Sequence, residues 1–177
     1  MHVMAKKLVM SGMFLAVSMI CMMLGSVIQT NTLFLLAAAS YLVGIVLREC
    51  GGKLGVAFYV AAILLGLILV PEKLYVGSYA SMGLYILLED RLWDFLGKKE
   101  TLSNRRTWFF FGKWLIFNLI YLSSLAGMHA LIFDSETSWL FRIGVWAAGQ
   151  VLFFLYDRAY GYVQEQVWGK IRGRILG

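Results

Sequence analysis

The chain has 177 residues, 60% of them apolar, with one proline and sixteen Lys or Arg against ten Asp or Glu. So apolar a chain is not a soluble domain, and its continuous apolar runs, with no alternation of polar residues, exclude a transmembrane β-barrel. The formal charge of +6 would suit nucleic acid, but its placement assigns it to membrane topology and anionic lipid headgroups instead.

Six apolar stretches are read at about 8–28, 33–47, 54–70, 75–88, 108–133 and 139–156. A helix needs about 20 apolar residues to cross a bilayer. The first, third, fifth and sixth stretches meet that length or approach it. The second and fourth are short and must tilt, borrow flanking residues or be wrapped by neighbours.

The first stretch follows Lys6-Lys7, but it is too long for a signal-peptide core and no A-x-A site follows it, so it reads as a retained helix. Gly12 and Ala16 form a small-x-x-x-small pair on it, and seven of the nine methionines fall in the first 23 residues. Small residues let backbones approach where no hydrophobic effect drives helices together, and thioethers suit a surface that repacks. Gly12 and Ala16 are therefore candidate contacts to a partner helix, with internal packing as the alternative.

The polar, uncharged loop 29–32 follows. The second stretch carries the pair Ser40/Gly44 and ends in a tight turn from Arg48 to Lys53, where Gly51-Gly52 supply conformations that other residues resist. The third carries Ala62/Gly66 and stops at Pro71, with Glu72-Lys73 as the next corner. Tyr75 and Tyr79, one turn apart, open the fourth. In 88–97, Leu88, Leu92, Phe95 and Leu96 recur at helical spacing opposite Glu89, Asp90, Arg91 and Asp94, which predicts a short interfacial helix.

Within the fifth stretch, Trp114, Asn118, Tyr121, Leu125 and His129 share a face. In the sixth, Trp139, Arg142, Trp146 and Gln150 fall within an arc of about 80°. The tail 159–176 sets Tyr160, Val163, Val167, Ile171 and Ile175 among Gln, Glu, Lys and Arg, and extends the sixth helix along the headgroups.

Charge sets the orientation. Thirteen Lys and Arg fall in alternate connections: Lys6, Lys7; Arg48, Lys53; Arg91, Lys98, Lys99, Arg105, Arg106; and Arg158, Lys170, Arg172, Arg174. The other connections hold Lys73 with Glu72, Asp134 and Glu136. Positive loops stay in the cytoplasm, so both termini are expected there. The expected architecture is an all-α, polytopic protein of the cell membrane, a single domain spanning 1–177 built as a compact six-helix bundle. Lys113 and Arg142 sit inside apolar stretches, and snorkelling is the expectation for Lys113.

No enzyme signature appears: no P-loop, G-x-S-x-G, H-E-x-x-H or C-x-x-C. Cys21 and Cys50 are expected at different membrane levels and lack His neighbours, so neither a disulfide nor a metal site is expected, and no cofactor. Polar residues within spans say more, because they normally face the bundle interior or a cavity. If the stripes of the fifth and sixth stretches meet beside Tyr75 and Tyr79, the outer half of the bundle holds a pocket. It would be lined by Tyr75, Tyr79, Asn118, Tyr121, His129, Trp139, Arg142, Trp146 and Gln150. Aromatic walls with a few placed polar groups describe a small-molecule site. The alternative is an interfacial aromatic belt, with Arg142 paired to Asp134 or Glu136.

Six helices with both ends inside, the Lys6-Lys7 start, Gly12-x-x-x-Ala16, the Arg48/Gly51-Gly52-Lys53 turn, Pro71, and Tyr79 with Gly83 together resemble the substrate-binding (S) components of energy-coupling factor transporters. The resemblance is one of layout. It implies a bacterial subunit that captures a small vitamin-like molecule and works with a separate membrane scaffold subunit and two ATPases. It also implies a lid at 29–32 and an anion or carbonyl held by Arg142 and His129, with Trp139 and Trp146 stacking on a ring. An alternative expectation is a non-catalytic membrane scaffold, similar in layout to the rod-shape-determining membrane proteins of bacterial wall synthesis.

Overall fold

The computed structural model describes residues 2–97, 104–127 and 139–170. Nearly all of them are helical. The α-helices are α1 (His2–Val27), α2 (Thr32–Cys50), α3 (Gly52–Leu69), α4 (Lys73–Gly97), α5 (Arg105–Gly127) and α6 (Trp139–Tyr162). A 3₁₀ turn at Gln29–Asn31 joins α1 to α2, and α6 runs into a π-helical turn, Val163–Trp168. Five helices are long and apolar enough to cross a membrane: Met4–Val27, Thr32–Cys50, Gly52–Leu69, Arg105–Ala126 and Trp139–Trp168.

The fourth of the six expected spans is not among these five. Its apolar run is closed at one end by Lys73 and at the other by Glu89-Asp90-Arg91, and it is diluted by Ser78, Ser81 and three tyrosines. The separate interfacial helix expected at 88–97 is instead the unbroken continuation of α4. Nothing between Leu88 and Gly97 would stop a helix: there is no proline, and Gly97 is the last residue.

The chain divides into two compact units, Met1–Arg91 and Leu92–Gly177. In the first unit α1, α2 and α3 pack on one another. Their buried positions follow the helical period: Ser11, Ser18, Met22 and Gly25 on α1, Leu36, Ala39, Val43 and Val46 on α2, and Gly55, Phe58, Ala62 and Gly66 on α3. Val76, Tyr79, Gly83 and Ile86 continue the pattern on α4.

Small residues set the spacing. A Cβ at Gly66 would stand 3.3 Å from Val76 Cγ1, and one at Gly55 would collide with Leu47. The small pairs expected at Ser40/Gly44 and Ala62/Gly66 are buried.

Hydroxyls reach backbone carbonyls across these contacts. Ser18 Oγ donates to the Ala39 carbonyl at 3.4 Å and Thr32 Oγ1 to the Gly25 carbonyl at 2.8 Å. Between membrane helices such bonds contribute about 0.6 kcal/mol each.

The corners are closed by specific residues. Gly51 has φ +96°, a left-handed conformation that a side chain would strain, and so α2 turns directly into α3. At the other end of α3, Lys73 Nζ donates to the Leu67 and Val70 carbonyls at 2.6 and 2.8 Å. That supplies donors to carbonyls a helix end leaves unpaired.

In the second unit the last turn of α4 packs on the start of α5. Leu92 fills the place a side chain at Gly112 would take. Trp93 meets Phe109 edge-on at 4.9 Å, and the Arg105 guanidinium sits 4.6 Å above the Trp93 ring.

Candidate functional site

The second unit concentrates the polar chemistry of the apolar helices. A hydrogen-bonded ring joins α5 to α6 near their middles. The Trp114 indole N–H donates to Gln150 Oε1 at 3.1 Å, Gln150 Nε2 donates to Asn118 Oδ1 at 3.0 Å, and Asn118 Nδ2 donates to the Trp114 carbonyl at 2.9 Å. The spacing explains the geometry: Trp114 and Asn118 are four apart on one helix, so both face the same residue of the next. A carboxamide carries two N–H donors. Among the described residues each of these amide groups donates one hydrogen bond, so Asn118 and Gln150 each keep a second N–H uncommitted.

Above and below that ring lie two further bridges. Tyr121 hydroxyl donates to the Val145 carbonyl at 2.8 Å. Its ring fills a notch at Gly149, where a Cβ would collide with it. Toward the other end, Lys113 Nζ lies 2.7 Å from both carboxylate oxygens of Asp157. Lys113 therefore does not simply snorkel, as the sequence suggests: it has a carboxylate partner on the next helix. Between these bridges Phe117 stacks on Phe153 at 4.4 Å and on Tyr121 at 5.4 Å. The α5–α6 seam is thus made of long polar side chains and rings, whereas α1–α3 meet through small residues.

The structure distributes the expected site residues unevenly. It brings Asn118 and Gln150 into direct contact and sets Tyr121 one turn along the same seam. Trp139, Arg142 and Trp146 are exposed on α6, with Trp139 69% and Trp146 42% accessible. Tyr75 and Tyr79 belong to the first unit. There Tyr79 is wholly buried and stacks on Tyr59 at 6.4 Å, and its hydroxyl has no hydrogen-bond partner among the described residues. Tyr59, by contrast, donates to the Ala80 carbonyl at 2.7 Å. His129, Asp134 and Glu136, with the pairings expected of them, lie outside the described residues.

Of the partner-helix residues, both Gly12 and Ala16 are exposed, and a Cβ at Gly12 would meet nothing within 4 Å. Residues 29–32, the expected lid, form the 3₁₀ turn and the first residue of α2. Thr32 anchors that turn to α1 through Gly25.

Sequence reasoning missed the Lys113–Asp157 pair. A signal was present: a base inside one apolar run and an acid directly after the next, on helices joined in sequence. Among the described residues, no three His, Cys, Asp or Glu side chains gather as a metal cage would need. No protein-family model, curated protein or solved structure matches the chain.

Proposed function

We propose that the chain is a multi-pass protein of the cell membrane, both termini cytoplasmic, acting as a non-catalytic subunit that captures a small vitamin-like molecule. Separate scaffold and ATPase subunits would drive its release inward, as in the energy-coupling factor transporters it resembles in layout. The observation that carries this reading is the Trp114–Gln150–Asn118 ring. Carboxamides are expensive to keep among apolar helices, and among the described residues each of these two has an N–H donor to spare beside aromatic rings. The alternation of basic connections with neutral or acidic ones supports the orientation.

The test is retention. The full chain, purified in mild detergent and examined by native mass spectrometry, is expected to hold a small molecule or to bind one from a panel of water-soluble vitamins. Gln150→Leu and Asn118→Leu are expected to lose that molecule while the protein stays folded. A wild-type protein that retains and binds nothing would sink the reading.

One observation favours the membrane-scaffold reading instead. Gly12 stands open on the exposed flank of α1, with Leu8, Met13 and Ile20 also exposed on that helix. On that reading Gly12→Leu breaks an assembly with another membrane protein, and Gln150→Leu leaves it intact.

A further inference from the structure

Opposite charges are seldom kept inside a membrane helix pair where apolar packing would serve as well, so a retained pair calls for a use. Lys113 and Asp157 lie within two of the helical segments long and apolar enough to cross a membrane, Arg105–Ala126 and Trp139–Trp168. The ammonium reaches both carboxylate oxygens at 2.7 Å. The pair is not sealed, since the Lys113 side chain is 12% exposed and that of Asp157 22%. The ammonium also stands 5.0 Å over the Phe109 ring.

Five residues along α5, about 7.5 Å of helix rise, Asn118 offers an N–H with no acceptor among the described residues, and Gln150 offers another from α6. Trp114 and Phe117 lie between, on the same helix. A cation at one end, two amide donors further along and rings beside them make a strip suited to an acceptor-bearing molecule with a flat apolar body and a negative end.

Resting on the small-molecule reading above, we propose that the captured molecule is an anion, a carboxylate being the simplest case, that it lies with its charged end toward the basic, cytoplasmic ends of α5 and α6 rather than in the outer half, and that this end takes Lys113 in exchange for Asp157. Asp157 is then a resting counter-ion. Lys113 stays paired before and after capture, and the displaced carboxylate, the more exposed partner, turns to water.

The probe is benzoate, with benzamide as its neutral isostere, followed by thermal unfolding of the purified full chain in detergent. In Asp157→Asn, which removes the resting counter-ion, millimolar benzoate is expected to raise the unfolding midpoint by several degrees more than benzamide. Wild type is expected to show a smaller difference, and the double variant Lys113→Gln with Asp157→Asn none. Equal responses to both probes in Asp157→Asn, or a benzoate-specific response that survives loss of Lys113, overturn the proposal.

Should Asp157→Asn not fold with or without benzoate, Asp157→Glu keeps the charge on a longer arm and loosens the pair. It is expected to respond to benzoate more strongly than wild type, and an equal response overturns the proposal. The two readings fail separately. A wild-type protein that retains a neutral molecule, insensitive to Lys113→Gln, leaves capture standing and removes the anion. A wild-type protein that retains nothing removes capture, and the benzoate comparison still decides the exchange at Lys113.

Discussion

Tyr121 lies so close to Gly149 across α5 and α6 that its ring occupies the space of a methyl group there, while its hydroxyl donates to the Val145 carbonyl at 2.8 Å. The glycine is therefore part of the tyrosine's seat. Gly149→Ala is expected to destabilise the protein by about 1–3 kcal/mol, because the ring must leave its place and its hydrogen bond. A Cβ at Gly144, on the same helix, would meet nothing within 4 Å. Gly144→Ala is expected to be neutral or to gain up to about 1 kcal/mol from helix propensity. Thermal unfolding of both variants in one detergent checks the contrast, and equal effects would contradict it.

The Lys113–Asp157 bridge makes a prediction about pairs. Lys113→Met or Asp157→Leu alone breaks the ion pair and is expected to cost on the order of 2–3 kcal/mol, less than the about 3–5 kcal/mol of a fully buried pair because both groups retain some exposure. The double variant is expected to recover most of that loss. Folded yield and unfolding midpoint in a double-mutant cycle measure it. Additive losses would mean that the two residues act independently.

Two tyrosines of the first unit should behave oppositely. Tyr59 hydroxyl is bonded to the Ala80 carbonyl, whereas Tyr79 hydroxyl is buried with no partner among the described residues. Tyr59→Phe is expected to lower stability by about 1 kcal/mol and Tyr79→Phe to raise it by a similar amount, since an unsatisfied buried hydroxyl is a standing penalty. Measured on protein without added ligand, the same sign for both would show that Tyr79 has found a partner.

Orientation is tested by labelling. With Cys21 and Cys50 replaced by Ser, Asn31→Cys is expected to react with a membrane-impermeant maleimide in intact cells, and Lys99→Cys only after lysis. The reverse pattern would invert the topology and place the basic connections outside.

Much of the helical layout was legible in the sequence, because continuous apolar runs broken at Gly51, Pro71 and charged corners leave few other solutions. The facing of Asn118 and Gln150 was legible too, from polar residues at helical spacing on consecutive runs. Other features were hidden for physical reasons. Asp157 falls one residue past the apolar run 139–156, so hydropathy classed it with the tail and left Lys113 without a visible partner. The continuity of α4 through 88–97 was obscured because charge at Glu89–Arg91 marks a change of surroundings, which a helix crosses without a break in its hydrogen bonds. The orphaned Tyr79 hydroxyl depends on which groups surround it in three dimensions, and spacing along one helix carries no record of that.

The π-helical turn at Val163–Trp168, with Gln164 and Trp168 buried, takes up one residue more per turn than α-helix does. Upstream of it, α6 keeps the phase that points Val145, Gln150 and Asp157 at α5. Downstream, Gly169 and Lys170 are rotated by about 100° from where an unbroken α-helix would carry them. Excising a single residue from this turn would restore unbroken α-helix, spare every α5–α6 bridge and leave Gly169 and Lys170 at the azimuth they already hold, so the turn stores one residue of slack.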